Sequence, residues 1–134
     1  MGQVSCFDDI STRRSRTMPL IKVQTNVADI PEAKAQALLG ALSSLLAKVL
    51  GKSEDYVMTA LEPTTTMTFG GSSDPASYME IKNIGTMTNE QTQTMSEEAC
   101  KLAHQYLGVS PERTYLEFND AQRHLWGWNG KTFA

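Results

Sequence analysis

Gly51, Ser53 and Asp55 recur, one constant offset further along the chain, as Gly108, Ser110 and Glu112, and each set stands directly behind an apolar stretch with helical spacing. Two helices that end in the same turn chemistry point to two copies of one folding unit, which constrains the architecture more than any other feature. In the first copy Leu20-Ile21-Lys22-Val23-Gln24-Thr25 is an apolar strand. Ala37, Leu38, Ala41, Leu42, Leu45, Leu46, Val49 and Leu50 then recur at helical spacing as far as Gly51, and Tyr56 to Glu62 returns as a strand ended by Pro63. Asp29 and Glu32 are spaced as a capping box around Pro31, which suits a first helical turn. In the second copy Ser77 to Ile84 alternates Met79 and Ile81 against Glu80 and Lys82, as a half-buried strand does, and Gly85 breaks it. Thr88 and Gln91 form another capping box; Met95, Ala99, Leu102, Ala103, Tyr106 and Leu107 make an apolar stripe that Gly108 terminates. Thr114 to Phe118 is the next strand, and a short Trp126-Gly127-Trp128 segment lies near the end.

The expected fold class is therefore α+β: a duplicated β-α-β unit giving a four-stranded sheet with two helices on one face. A sheet covered on one face leaves its other face and its edges needing cover, and oligomerisation is the economical solution. With 134 residues and 40% hydrophobic residues the chain fits one core. Its net charge of -3 offers no excess of positive charge to neutralise phosphates, so nucleic acid is a poor partner. Cys6 and Cys100 make no disulfide framework and show no CxxC spacing, which is compatible with a reducing compartment. No run reaches the roughly eighteen consecutive apolar residues of a membrane span, so no membrane partner is expected.

Residues 1–17 look unlike the rest. Arg13, Arg14 and Arg16 stand among serines and threonines, a composition faintly like an organelle transit peptide, but Asp8 and Asp9 weaken that reading and the apolar region of a secretory signal is missing. Met1-Gly2 resembles a myristoylation start, yet Cys6 holds the place where Ser or Thr is needed. The expectation is a disordered leader or an upstream start over 1–17, followed by a single domain over 18–134 that opens on a start-like Met18-Pro19. Pro19 inside a chain is a non-basic tertiary amide; at a chain terminus it is a secondary amine able to take and return protons.

Phe69-Gly70-Gly71-Ser72-Ser73 is glycine-rich, but no Gly-Lys-Ser/Thr follows it, and Gly51-Lys52-Ser53 has Leu46 where a phosphate-binding loop needs glycine. The expectation there is a tight turn that uses glycine's access to positive φ. His104 and His124 stand alone, no cluster has metal spacing, and no Ser-His-Asp arrangement can be nominated. Read singly, Lys52 is a cation suited to a helix C-terminus, and Tyr115, Trp128 and Phe133 are packing aromatics.

Taken together, Met18-Pro19 before an apolar strand, Gly51-Lys52, Phe69-Gly70-Gly71-Ser72-Ser73-Asp74-Pro75, Ile84-Gly85, Ser110-Pro111-Glu112-Arg113 before Tyr115, and the tail Gly127-Trp128-Asn129-Gly130-Lys131-Thr132-Phe133-Ala134 resemble, in order, the macrophage migration inhibitory factor family of the tautomerase superfamily. The resemblance implies a homotrimer with active sites at subunit interfaces, and a cofactor-independent keto-enol tautomerase of phenylpyruvate-like, and also dopachrome-like, substrates. It implies Pro19 as the base once everything before it is removed. Lys52 would pair with the substrate carboxylate and help keep the amine neutral, and the Ile84 N–H would be a second substrate contact. Tyr115 would reach in from a neighbouring subunit, and Tyr56, Trp128 and Phe133 would form an aromatic rim. The sequence also departs from the family. Ala76 and Met79 replace the CxxC of the animal cytokine, so thiol-disulfide exchange is not carried over, and Glu117 replaces an asparagine beside the active-site tyrosine. The alternative is a cytokine-like or interaction protein with a silent pocket, which a retained leader would favour. Sister activities of the superfamily, decarboxylation or dehalogenation, depend on arginines for which the sequence offers no place near Pro19. Localisation is expected to be cytoplasmic or leaderless secreted, with organelle targeting by 1–17 as a lesser option.

Overall fold

The computed structural model describes residues 19–134, so residues 1–17 and Met18 lie outside the described residues. Strands β1 (Leu20–Thr25), β2 (Met58–Glu62), β3 (Ser77–Ile84) and β4 (Thr114–Ala121) form one sheet in the order β2-β1-β3-β4, and helices α1 (Glu32–Leu50) and α2 (Asn89–Leu107) cross over it. Each copy is a parallel pair, β1 with β2 and β3 with β4, and the copies meet antiparallel at β1 and β3 with Ile21 opposite Ile81 and Val23 opposite Met79. Strand alternation decides which face is covered. Ile21 and Val23 of β1 and Met79 and Ile81 of β3 are fully buried against Leu38, Leu42 and Leu46 of α1 and Met95, Ala99 and Ala103 of α2. Composition and length would let α1 cross a membrane, yet its Leu38, Leu42 and Leu46 stripe is fully buried in this core.

The duplicated punctuation works as the sequence indicates. Gly51 and Gly108 both adopt the left-handed conformation (φ 66° and 72°) that ends a helix without steric cost. Behind them Ser53 Oγ accepts from the Asp55 N–H and Ser110 Oγ from the Glu112 N–H, opening two short 3-10 turns, Glu54–Tyr56 and Pro111–Arg113. The Thr88 capping box is complete: its hydroxyl accepts from the Gln91 N–H at 3.1 Å and Gln91 Oε1 accepts from the Thr88 N–H at 2.9 Å.

Three local expectations change. The Asp29 box is absent: Pro31 is the N-cap with no side-chain cap bond, Glu32 is already the first helical residue, and Asp29 is in the left-handed region (φ 57°), so Glu32 is too early to reach back. Tyr56 belongs to the 3-10 turn, and β2 starts at Met58. Strand β4 runs past Phe118 to Ala121, because β3 gives polar Asn119 and Asp120 backbone partners at Lys82 and Asn83.

Gly70 and Gly71 (φ 58° and 79°) make a two-residue turn closed by reciprocal Phe69–Ser72 backbone hydrogen bonds of 2.9 and 3.0 Å. The Arg113 guanidinium fastens it by donating to the carbonyls of Phe69, Ser72, Asp74 and Pro75 at 2.8–3.2 Å. The sheet face away from the helices is polar. There the Tyr78 phenol lies between two carboxylates, 2.7 Å from Glu117 and 3.0 Å from Glu80, and Glu80 also lies 3.8 Å from both Lys22 and Lys82.

Candidate functional site

Pro19 stands at the head of β1, its side chain fully buried, and its carbonyl accepts from the Met58 N–H at 3.1 Å, which ties it to the start of β2. Beside it opens a cavity of about 450 Å³ lined by Pro19, Tyr56, Val57, Met58, Trp126 and Trp128. The aromatic residues hold one another. Tyr56 meets Trp128 edge-on at 5.9 Å, and Trp128 stacks on Phe133 at 6.2 Å with the rings 4° from parallel. They are set there by the tail, in which β5 (Gly127–Trp128) and β6 (Lys131–Thr132) form a small hairpin. The Phe133 N–H donates to the carbonyls of Arg123 and Trp126, both at 3.2 Å, and Arg123 Nε donates back to the Phe133 carbonyl at 3.0 Å.

A second, more polar cavity of about 670 Å³ is lined by Lys52, Asn83, Ile84, Gln91, Asp120 and Arg123. Lys52 is delivered by the end of α1, where its N–H donates to the Ala47 carbonyl at 2.9 Å. Gln91 Nε2 donates to the Val49 carbonyl, joining the start of α2 to the end of α1. Asp120 Oδ1 accepts from the Gly85 N–H at 3.1 Å, fixing the end of β3 to the end of β4. Asn83 is 2% exposed, and its Oδ1 has no hydrogen-bond partner among the described residues, a cost of about 1–3 kcal/mol.

Both cavities lie at one end of the sheet. Leu20, next to Pro19, is in register with Met58 on one side and Lys82 on the other, and Ile84 is in register with Ala121. Pro19, Tyr56 and Trp128 therefore line the aromatic cavity, Phe133 backs it through Trp128, and Lys52 and Ile84 line the polar cavity. Tyr115 is not with them. It pairs with Tyr78, which pairs with Gln24 at the far end of β1, and it is 66% exposed on an edge strand against the Phe69 ring at 5.1 Å. Sequence reasoning left Trp126, Asn83 and Arg123 without a role. Trp126 had a signal in its place beside Trp128, whereas Arg123 had none once β4 was ended at Phe118. The sequence offers no arginine a place near Pro19; the structure puts Arg123 in the cavity it shares with Lys52, at Pro19's end of the sheet.

A duplicated β-α-β unit with a proline heading its first strand and a lysine behind its first helix is shared with solved homologues that place the chain in the tautomerase superfamily. Residues 18–134 match the profile of the family described as Macrophage migration inhibitory factor (MIF), and the chain belongs to that family. The macrophage migration inhibitory factor of Meriones unguiculatus is 38% identical over 119 residues, covering 87% of this chain and all of the relative. A homolog from Brugia malayi is 33% identical with the same coverage. Among solved structures, the homologue from Prochlorococcus marinus superposes with a TM-score of 0.81 at 45% identity, covering 86% of this chain and 99% of that one. The Toxoplasma gondii protein gives 0.81 at 30% identity, covering 85% and 99%.

Proposed function

We propose that this protein is a cofactor-independent keto-enol tautomerase of phenylpyruvate-like, and also dopachrome-like, acids, with the Pro19 amine as its base. The observation that carries the reading is that buried Pro19 lines an aromatic cavity at the end of the sheet that also carries a cationic one, a division that suits an aryl ring and a carboxylate. The amine takes a proton from the carbon next to the carbonyl, the electron pair moves to the carbonyl oxygen, and that oxygen is protonated; ketonisation reverses each step. A free α-amino group titrates at about 7.7–8.0, so burial and the charge of Lys52 both favour the neutral form that a base requires. Lys52 pairs with the carboxylate, the Ile84 N–H makes a second contact, and Tyr56, Trp128 and Phe133 select the ring.

Tyr115 enters from a neighbouring copy, since its own chain holds it at the opposite end of the sheet. A homotrimer that covers the exposed edges β2 and β4 would bring it there. Residues 1–17 with Met18, while attached, keep Pro19 an amide and the site silent. A second reading, a cytokine-like protein acting on a receptor from the cytoplasm or after leaderless export, is favoured by the relatives' name. Intact mass with N-terminal sequencing of the native protein, combined with phenylpyruvate turnover, separates the two: turnover by a chain that retains Met1 refutes the Pro19 mechanism, and absence of turnover with Pro19 free favours the second reading.

A further inference from the structure

The cavity that holds Lys52 and Ile84 contains a second cation. Arg123 reaches it from the 3-10 turn after β4, and its placement is built rather than incidental. Its Nε donates to the Phe133 carbonyl at 3.0 Å, and the guanidinium lies 6.0 Å over the Phe133 ring, which itself stacks on Trp128. Arg123 thus lines the polar cavity while it holds Phe133, which backs the aromatic one through Trp128. Holding Nε fixes the plane of the fork, and its two terminal amino groups make no hydrogen bond to a described residue. Asp120, the carboxylate in the same cavity, is already engaged by the Gly85 N–H.

We infer that Arg123 is a specificity residue that, with Lys52, makes the site select 2-oxo acids as carboxylates over their neutral esters. The inference rests on the proposed reading that the acid's ring occupies the aromatic cavity. A planar guanidinium offers parallel donors that match a carboxylate, and charge-assisted bonds of this kind are about twice as strong as neutral ones. An ester keeps the ring and the carbonyl but loses the charge, so it isolates the contribution of the two cations.

The test uses the chain that begins at Pro19, with phenylpyruvate and its methyl ester as probes, in the wild type, Arg123→Gln and Arg123→Lys. In the wild type the acid is preferred. Arg123→Gln is expected to raise KM for the acid about tenfold with a smaller effect on kcat, so that the acid-to-ester ratio of kcat/KM falls by about the same factor. Arg123→Lys restores part of the ratio, because it keeps the charge but not the fork. A purely structural role, anchoring Phe133, would weaken both probes equally and leave the ratio unchanged; that result overturns the inference. Dissociation constants from quenching of tryptophan fluorescence separate this from a failure of the tautomerase reading. If the wild type binds the acid but turns over neither probe, the tautomerase reading fails, and the acid-to-ester ratio of dissociation constants decides the role of Arg123. Failure of the wild type to bind the acid overturns the inference as well.

Discussion

Joining any residue to the nitrogen of Pro19 turns a secondary amine into an amide with no basicity, so the full-length chain and the chain beginning at Pro19 should differ in catalysis while sharing one fold. The structure makes this a clean comparison. Pro19 is held by its own buried ring and by its carbonyl, which accepts from the Met58 N–H at 3.1 Å, and neither contact depends on what precedes the nitrogen. A positioned general base contributes about 10²–10⁴ in rate, or roughly 3–5.5 kcal/mol of barrier. The full-length chain should therefore show kcat/KM for phenylpyruvate reduced by at least about a hundredfold, with an unchanged melting temperature. In the active form kcat/KM should fall as pH drops through the amine pKa, because protonation removes the base. Pro19→Gly is a less clean variant. It keeps an amine but deletes three buried methylenes, about 0.8 kcal/mol each, and frees the unfolded backbone by another ~0.4–1 kcal/mol. Its expected loss of about 3 kcal/mol in stability means that its turnover, also expected to fall strongly, must be read well below its own melting point. The assay follows decay of the enol absorbance, with intact mass verifying each N-terminus. Equal turnover by the full-length chain and the chain beginning at Pro19 would refute the reasoning outright.

Leu42→Ala, at the fully buried centre of the α1 stripe, should cost about 2–5 kcal/mol in chemical denaturation, because a close-packed layer cannot collapse around the lost isobutyl group. Arg113→Ala removes four hydrogen bonds to loop carbonyls, and faster amide exchange at Phe69 and Ser72 should accompany a loss of about 2 kcal/mol, less than the sum of the bonds since water can reach part of the loop. Tyr78, whose pKa is raised by its hydrogen bond to Glu117 first and then by burial, Glu80 and the two nearby charges, keeps its proton in the folded protein after the unfolded chain has lost it at about 10. Its contribution to stability is thus present below about pH 10 and declines above it, so denaturation midpoints measured upward from there should fall less steeply in Tyr78→Phe.

What could be read from the sequence is what local chemistry decides. Glycines at Gly51 and Gly108, the Thr88 hydroxyl three residues before Gln91, and the alternation of Ser77 to Ile84 each specify geometry within one turn or one strand, and the structure follows them. What could not be read depends on partners distant in the chain. Asn119 and Asp120 carry no strand signal of their own and become strand because β3 supplies their ladder. That extension carries the chain back to Pro19's end of the sheet, which is why Arg123 could not be placed in advance. Asp29 and Glu32 fit a capping pattern, but Pro31 takes the N-cap and Glu32 is already the first helical residue, so the pattern is out of phase with the helix.

The duplication explains why one end of the sheet is a site and the other is not. The offset that carries Glu32 to Asn89 and Leu50 to Leu107 also carries Pro19 to Ala76, Lys52 to Val109 and Tyr56 to Arg113. In the second copy the position before the strand is therefore Ala76, 1% exposed, and the position behind the helix is Val109, fully buried. The cavity-lining aromatic position is held by Arg113, which is spent on the glycine turn. Equivalent backbone thus supports opposite uses. Where the copy keeps a cation and an aromatic ring beside a strand-heading proline, space remains for a ligand. Where it places apolar side chains at the same points, core packing closes that space, and Tyr115, two residues past Arg113, is left facing outward. A chain of this design carries the proline and the lysine at one end of its sheet and the tyrosine at the other, so two copies must meet before a site containing all three can exist.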